Sequence, residues 1–171
     1  DSKYVDVLER SMYNGALAGV SLTGDRFFYV NPLESKGDHH RQAWYGCACC
    51  PSQISRFLPS IGNYIYGVSN EALWVNLFIG NTTKVKVGDL EVTIQQKTHY
   101  PWDGKVELKV SAAQALDKEL RIRIAGLCKD YQLSVKVQFV KSSVDKGYAV
   151  IKDWKPGDVI SLEMEMPVEK V

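Results

Sequence analysis

The stretch Val85-Lys86-Val87-Gly88-Asp89-Leu90-Glu91-Val92 alternates apolar and polar side chains on both sides of a Gly-Asp pair. Alternation at period two puts one apolar set on one face of an extended chain. A two-residue loop containing glycine then folds it into a hairpin, although Gly-Asp suits a type I′ or II′ turn less specifically than Asn-Gly does. The same pattern recurs outward. It appears in Leu73, Val75, Leu77 and Ile79, in Leu90, Val92 and Ile94, and in Val106, Leu108 and Val110. It continues in Leu120, Ile122 and Ile124, in Leu133, Val135 and Val137, and in Ile160, Leu162, Met164 and Met166. Turn signals separate these runs: Gly80-Asn81, Asp103-Gly104, Lys146-Gly147 and Pro156-Gly157-Asp158. Short alternating strands with no helical stretch between them predict a mainly β domain over residues 64–171, an antiparallel, jelly-roll-like β-sandwich.

The first third has a different period. Val5, Leu8, Met12 and Ala16 recur three or four residues apart, which predicts an amphipathic helix within Tyr4–Val20. Phe27 to Val30 reads as a strand or extended segment stopped by Asn31-Pro32, and residues 34–41 as an exposed polar loop. Ile54, Phe57, Leu58 and Ile61 then mark a short helix that begins at Pro51 and ends at Gly62-Asn63. Residues 1–63 carry too little apolar surface for a core of their own, at about 25 cal/mol per Å² set against ordering entropy. They are expected to lean on the sandwich or on something else.

Composition excludes several function classes. The 171 residues include 21 basic and 20 acidic side chains, a net charge of +1. Both signs are spread evenly along the chain, so the basic footprint of a nucleic-acid binder is missing. Uncharged stretches such as Phe57 to Asn70 are interrupted by Pro, Gly and Asn and fall short of the about 20 residues that span a bilayer, so no membrane role is expected. The sequence opens on Asp1 without a signal-like segment. That predicts an N-terminus cut by processing or by design, and favours a cytoplasmic location.

Three of the four cysteines, Cys47, Cys49 and Cys50, lie within four positions. A disulfide framework spreads its cysteines, so the cluster points to metal or reactive-thiol chemistry. Cys49 and Cys50 stand immediately before the predicted helix, where unpaired N–H groups and the helix dipole favour thiolates. On the residues alone four readings stay open. They are a structural zinc site completed by His39, His40 or Cys128, a Cys47/Cys50 redox pair, buried reduced thiols, and a nucleophilic cysteine.

Several segments together resemble glycoside hydrolase family 127, the β-L-arabinofuranosidases and their relatives. They are Tyr4 to Gly19, Asp25 to Glu34, Trp44 to Pro51 with Arg56, and Asn63 to Tyr66. Arg121 to Cys128, Gly147 to Ile151, Trp154 to Val159 and Met166-Pro167-Val168 extend the likeness over nearly the whole chain. Gly46-Cys47-Ala48-Cys49-Cys50-Pro51 is its most specific part; Pro51-Ser52-Gln53 departs from the family's usual Pro-Pro-Asn.

The resemblance implies a fragment holding the end of an (α/α)6 catalytic barrel (1–63) and the first β-sandwich (64–171), truncated at both ends. It implies retaining hydrolysis of an arabinofuranoside-type carbohydrate by a cysteine nucleophile held on Zn2+. Cys49 is then the nucleophile, Cys49 and Cys50 are metal ligands, and Tyr29 lines the sugar subsite. The family's acid/base Glu and its remaining zinc ligands have no counterpart here, so the fragment alone is expected to be inactive and to hold zinc partially or not at all. Glu9, Glu34 and Glu71 read as solvated, as do His39 and His40. Trp44 and Tyr45 read as packing under their loop, and Cys128 as a buried thiol. The alternative is a non-catalytic accessory or carbohydrate-binding sandwich, which requires two of Trp74, Trp102 and Trp154 to be exposed together.

Overall fold

The computed structural model describes residues 1–47, 49–114, 117–152 and 154–168. Two compact units emerge: Asp1–Asp6 with Asn63–Val171, and Val7–Gly62.

The larger unit is mainly β, as the alternation predicts. Its strands are β1 (Tyr66–Val68), β2 (Ala72–Val75), β3 (Asn81–Val87), β4 (Leu90–Thr98), β5 (Lys105–Ala112) and β6 (Glu119–Arg123). They continue with β7 (Tyr131–Val135), β8 (Gln138–Phe139), β9 (Ser143–Asp145), β10 (Tyr148–Ile151) and β11 (Val159–Met164). One sheet runs β1-β2-β6-β10-β9 and the other β3-β4-β5-β11-β7-β8. Every pairing is antiparallel except β2 with β6, which is parallel and sets Leu73 opposite Leu120. In the hairpin that opened the sequence reading, Val87 faces Leu90 across Gly88-Asp89. Gly88 alone of the loop pair takes a positive φ, the type II′ pattern.

The inward residues of both sheets share one core. Leu73, Val75, Leu120, Ile122, Ala149 and Ile151 come from the first sheet, and Val92, Ile94, Leu108, Val110, Ile160 and Leu162 from the second. The charged residues between them pair across strands on the outer face, as Lys97 does with Glu107 at 3.4 Å and Lys84 with Glu91 at 2.8 Å. Glycine is required at Gly104. Its carbonyl accepts the Met164 N–H at 3.0 Å, and a Cβ there would overlap the Met164 carbonyl oxygen.

The strand from Leu73 does not run on to Ile79. The N–H groups of Asn76 and Leu77 both donate to the Ile65 carbonyl, at 2.8 and 3.3 Å, and so leave the ladder. One ion pair, buried on its arginine side, ties the N-terminal segment of this unit to β6. Arg123, fully buried, donates from Nη1 to Asp6 Oδ1 at 2.5 Å and from Nε to the Asn76 carbonyl at 2.6 Å. Its guanidinium lies over the Phe78 ring at 5.2 Å. Asp6 also accepts the Gly126 N–H at 3.1 Å.

The β7–β8 turn carries strain. Lys136 and Val137 both have positive φ, 51° and 67°, as a type I′ turn demands, and left-handed backbone is unfavourable for a β-branched residue. Val137 is almost fully exposed, so its side chain contributes no packing. Val137→Asn is therefore expected to stabilise the protein by about 1 kcal/mol, seen as a higher urea midpoint at an unchanged slope; a lower midpoint would refute this account of the turn.

In the smaller unit the predicted helix over Tyr4–Val20 is broken. Helix α1 (Ser2–Ser11), which starts in the other unit, gives way to a π-helical turn at Met12–Ala16 and a 3-10 turn at Leu17–Gly19. Asn14-Gly15, a poor helix-forming pair, falls within the π turn. Phe27 to Val30 is not a strand, since only Phe27 makes bridge pairings, with Val20 and Gln42. Helix α2 (Cys49–Ser60) starts two residues earlier than Pro51, and the short helix α3 (Gly62–Ile65) follows. Among the described residues of Val7–Gly62, Met12 and Phe27 are the only buried apolar side chains, in keeping with the small core expected. No helix among the described residues is long and apolar enough to cross a membrane.

Candidate active site

Helix α2 begins with Cys49 and Cys50, so both thiols occupy its first turn rather than preceding it. The Cys49 sulfur lies 3.4 Å from that of Cys47, 3.8 Å from that of Cys50 and 3.8 Å from the Tyr29 hydroxyl. The first-turn N–H groups of an α-helix lack intrahelical acceptors and favour negative charge beside them.

Tyr29 reaches this point from a loop held by side chains instead of a sheet. Tyr45 packs edge-on against Phe27 at 5.2 Å and tilted against Tyr29 at 5.7 Å. On the neighbouring residue, His39 stacks on Phe28 at 4.8 Å while its Nε2 lies 2.8 Å from the Val30 carbonyl. Arg41 lies over Phe28 at 4.4 Å and donates to the Ala18 carbonyl at 2.6 Å. Backbone hydrogen bonds at Phe27 and Phe28 and ring contacts at Phe28 and Tyr29 together order these aromatics.

The thiols and Tyr29 line a groove of about 290 Å³, with Gly15, Gly19, Asn31 and Gln53 among its other walls. That is near the lower end of the roughly 300–1,000 Å³ typical of ligand clefts. Gly15 belongs to the π turn, a distortion common at functional sites, and the two glycines keep this wall low. No carboxylate lines the groove among the described residues.

The thiol environments differ. The Cys47 S–H, then the Tyr29 O–H, then the Cys50 S–H donate toward Cys49 and hold its pKa below the ordinary 9.0. Burial, and then the neighbouring Cys49, push Cys50 up. Hydrogen bonding to Cys49, then to Cys47, raises Tyr29 to about 12, so its hydroxyl remains a donor throughout the neutral range. Cys49 is thus the group most readily ionised, as a nucleophile must be.

The structure brings Cys49, Cys50 and Tyr29 together, and adds Cys47, which the sequence reading placed in a redox pair with Cys50 but whose sulfur contact is with Cys49 at 3.4 Å. Gly15, Gly19, Asn31 and Gln53 were not foreseen as lining residues; the unusual Gln53 after Pro51-Ser52 was their only local signal. Among the described residues no group of three or more His, Cys, Asp or Glu is arranged to hold a metal ion.

Other expectations need correction. Glu9 is buried rather than solvated, and His39 is half-buried by its stack on Phe28. Trp44 is exposed rather than packed under its loop. Cys128 is half-buried and donates to the Asp130 carbonyl at 2.9 Å. Of the three sandwich tryptophans only Trp102 is exposed. Trp154 is buried with Nε1 donating to the Lys118 carbonyl at 2.8 Å, and Trp74 lies under the Arg121 guanidinium at 4.6 Å. No two of these three tryptophans are exposed together.

Comparison with known proteins adds to this geometry. Residues 1–63 match the family model for the β-L-arabinofuranosidase GH127 catalytic domain, and residues 72–166 match that for the GH127 middle domain. The non-reducing end β-L-arabinofuranosidase of Bifidobacterium longum subsp. longum is 37% identical over 188 aligned positions, covering 99% of this chain and 28% of that protein. The crystal structure of Ara127N-Se, a GH127 β-L-arabinofuranosidase from Geobacillus stearothermophilus T6, superposes with a TM-score of 0.91 at 40% identity, covering 100% of this chain and 29% of that one. The GH127 β-arabinofuranosidase BT3674 gives 0.88 at 42% identity, covering 96% and 29%. The chain therefore spans under a third of the length of each of these relatives.

Proposed function

Since this chain belongs to the GH127 β-L-arabinofuranosidase family, we propose that it supplies the thiol half of the active site of a retaining glycoside hydrolase acting on an arabinofuranoside-type carbohydrate. The observation that carries this reading is the meeting of Cys49, Cys50 and Tyr29 in one groove, with Cys49 the readily ionised thiol.

In this mechanism the Cys49 thiolate attacks the anomeric carbon and the glycosidic C–O bond breaks. The leaving oxygen takes a proton from a carboxylic acid supplied outside this groove, which holds no carboxylate among its described residues. Water then displaces sulfur from the opposite face, so two inversions restore the anomeric configuration. Tyr29 donates its O–H to the sulfur whenever that sulfur carries charge, which orients the thiolate and eases its departure.

Zinc is a further part of the proposal. The Cys49–Cys50 sulfur separation of 3.8 Å suits a tetrahedral site with Zn–S bonds of about 2.3 Å, and soft thiolates suit the ion. Cys49 and Cys50 would hold it as two of four ligands; bound there, zinc keeps thiols deprotonated at neutral pH. With half of a ligand set and no acid, the 171-residue chain by itself is proposed to be inactive.

The test is to trap the covalent intermediate. The full-length protein, incubated with an activated arabinofuranoside and quenched in acid, should carry one pentosyl group on the peptide containing Cys49. A pentosyl group on any carboxylate, or on no residue while turnover proceeds, would overturn the nucleophile assignment.

A further inference from the structure

We propose that Cys47 is the resolving thiol of Cys49, so that peroxide converts the pair to a reversible Cys47–Cys49 disulfide instead of destroying Cys49. The inference rests on the sulfur geometry, and on the proposed hydrolase reading only for its effect on turnover. The hydrolytic steps and the zinc pair leave Cys47 without a covalent role, yet it makes the shortest sulfur contact in the cluster, 3.4 Å to Cys49. Closing that gap to a bond of about 2.05 Å requires little motion. Cys47 is exposed and lies outside the helix, so it can move without unwinding α2.

Cys50 is the poorer partner. Adjacent Cα atoms sit about 3.8 Å apart across a trans peptide, below the roughly 4.4–6.8 Å window of disulfides. Cys49 and Cys50 also belong to the same first turn of α2.

The chemistry balances with a hydroperoxide as oxidant. The Cys49 thiolate attacks one peroxide oxygen, the O–O bond breaks, and with one proton the products are Cys49 sulfenic acid and water. The Cys47 sulfur then attacks the Cys49 sulfur, the S–O bond breaks, and hydroxide leaves with the Cys47 proton as a second water. The two thiols together lose two electrons and the peroxide gains them. Without a partner thiol the sulfenic acid goes on to sulfinic and sulfonic acids, which dithiothreitol does not reverse.

The experiment uses the full-length protein, dialysed against a chelator so that metal does not shield the thiols, then treated with a small excess of hydrogen peroxide. Peptide mass mapping should show a loss of about 2 Da on the segment carrying residues 47–50, restored by dithiothreitol. Cys50→Ser should keep that product. Cys47→Ser should abolish it and give over-oxidised Cys49, with at least a roughly fivefold smaller fraction of Cys49 recovered as free thiol by dithiothreitol. Equal over-oxidation in the wild type and Cys47→Ser, or a disulfide that survives Cys47→Ser, would overturn the proposal. Since the readout is mass and not turnover, failure here leaves the hydrolase reading standing, and failure to trap a sugar on Cys49 leaves this one standing.

Discussion

Cys49→Ala is expected to lower kcat of the full-length protein on an arabinofuranoside by about 10⁴-fold, since no other group in the groove can take over the covalent step. Cys50 has its pKa pushed up by burial, and neither Cys47 nor any carboxylate is among the described residues that line the groove. A variant that keeps more than a tenth of wild-type kcat, measured as initial rates, would end the nucleophile assignment. Tyr29→Phe supplies the companion pH test. Tyr29 is the second contributor, after the Cys47 S–H, to the lowered pKa of Cys49. In protein dialysed against a chelator, removing its O–H moves that pKa upward, toward the ordinary thiol value, so the thiolate fraction at a fixed neutral pH falls. The pH profile of Cys49 alkylation by iodoacetamide, followed by peptide mass mapping, should shift to higher pH, with roughly a fivefold slower reaction at neutrality that narrows as pH rises. An unshifted alkylation profile would remove Tyr29 from the control of this thiol.

The second large effect concerns stability. Arg123→Ala is expected to cost about 3 kcal/mol, read from urea unfolding of the 171-residue chain, because it removes a fully buried guanidinium and leaves the half-buried Asp6 carboxylate without its countercharge. The substitution leaves Asp6 with the Gly126 N–H but no countercharge, takes the Nε donor from the Asn76 carbonyl, and removes the side chain packed over Phe78. Arg123→Lys should recover only part of the loss, since a single ammonium cannot reach the Asp6 carboxylate and the Asn76 carbonyl in the directions that Nη1 and Nε take. A cost below about 1 kcal/mol for the alanine variant would show that the pair is compensated by water or by rearrangement.

That ion pair also marks the limit of what local sequence reading reaches. Alternating runs such as Val106, Leu108 and Val110 announced their strands because one face is dry and the other wet. Strand β10 gave no such signal, since Tyr148 through Ile151 are all buried; on the outer side Tyr148 meets Trp74 edge-on at 5.0 Å and donates to Asn76 Oδ1 at 2.8 Å. Strands β8 and β9 failed to register for the opposite reason, being short and exposed throughout. Phe27 to Val30 left strand and extended segment open because aromatic and β-branched composition has the same look whether sheet hydrogen bonds or stacked rings order it. Asp6 and Arg123 lie more than a hundred positions apart, and no periodicity joins them. At the site, the cysteine cluster was conspicuous by spacing alone. Which thiol ionises depended on the distances to Tyr29 and Cys47, and the low wall made by Gly15 and Gly19 depended on a distorted helix that no motif announces.

The parallel pairing of β2 with β6 governs the order in which the larger unit assembles. The β3-β4-β5 meander lies between these two strands in sequence and closes through short connections, so it can zip locally and early. Leu73 must wait for Leu120 to arrive from the far side of that meander, at the loop-closure cost of a distant contact. The β2–β6 pairing, like that of β5 with β11, is therefore expected after the meander's local pairings. Until it closes, Leu73 and Val75 stand open on a nascent edge, the interval in which a growing chain is most exposed to pairing with the wrong neighbour.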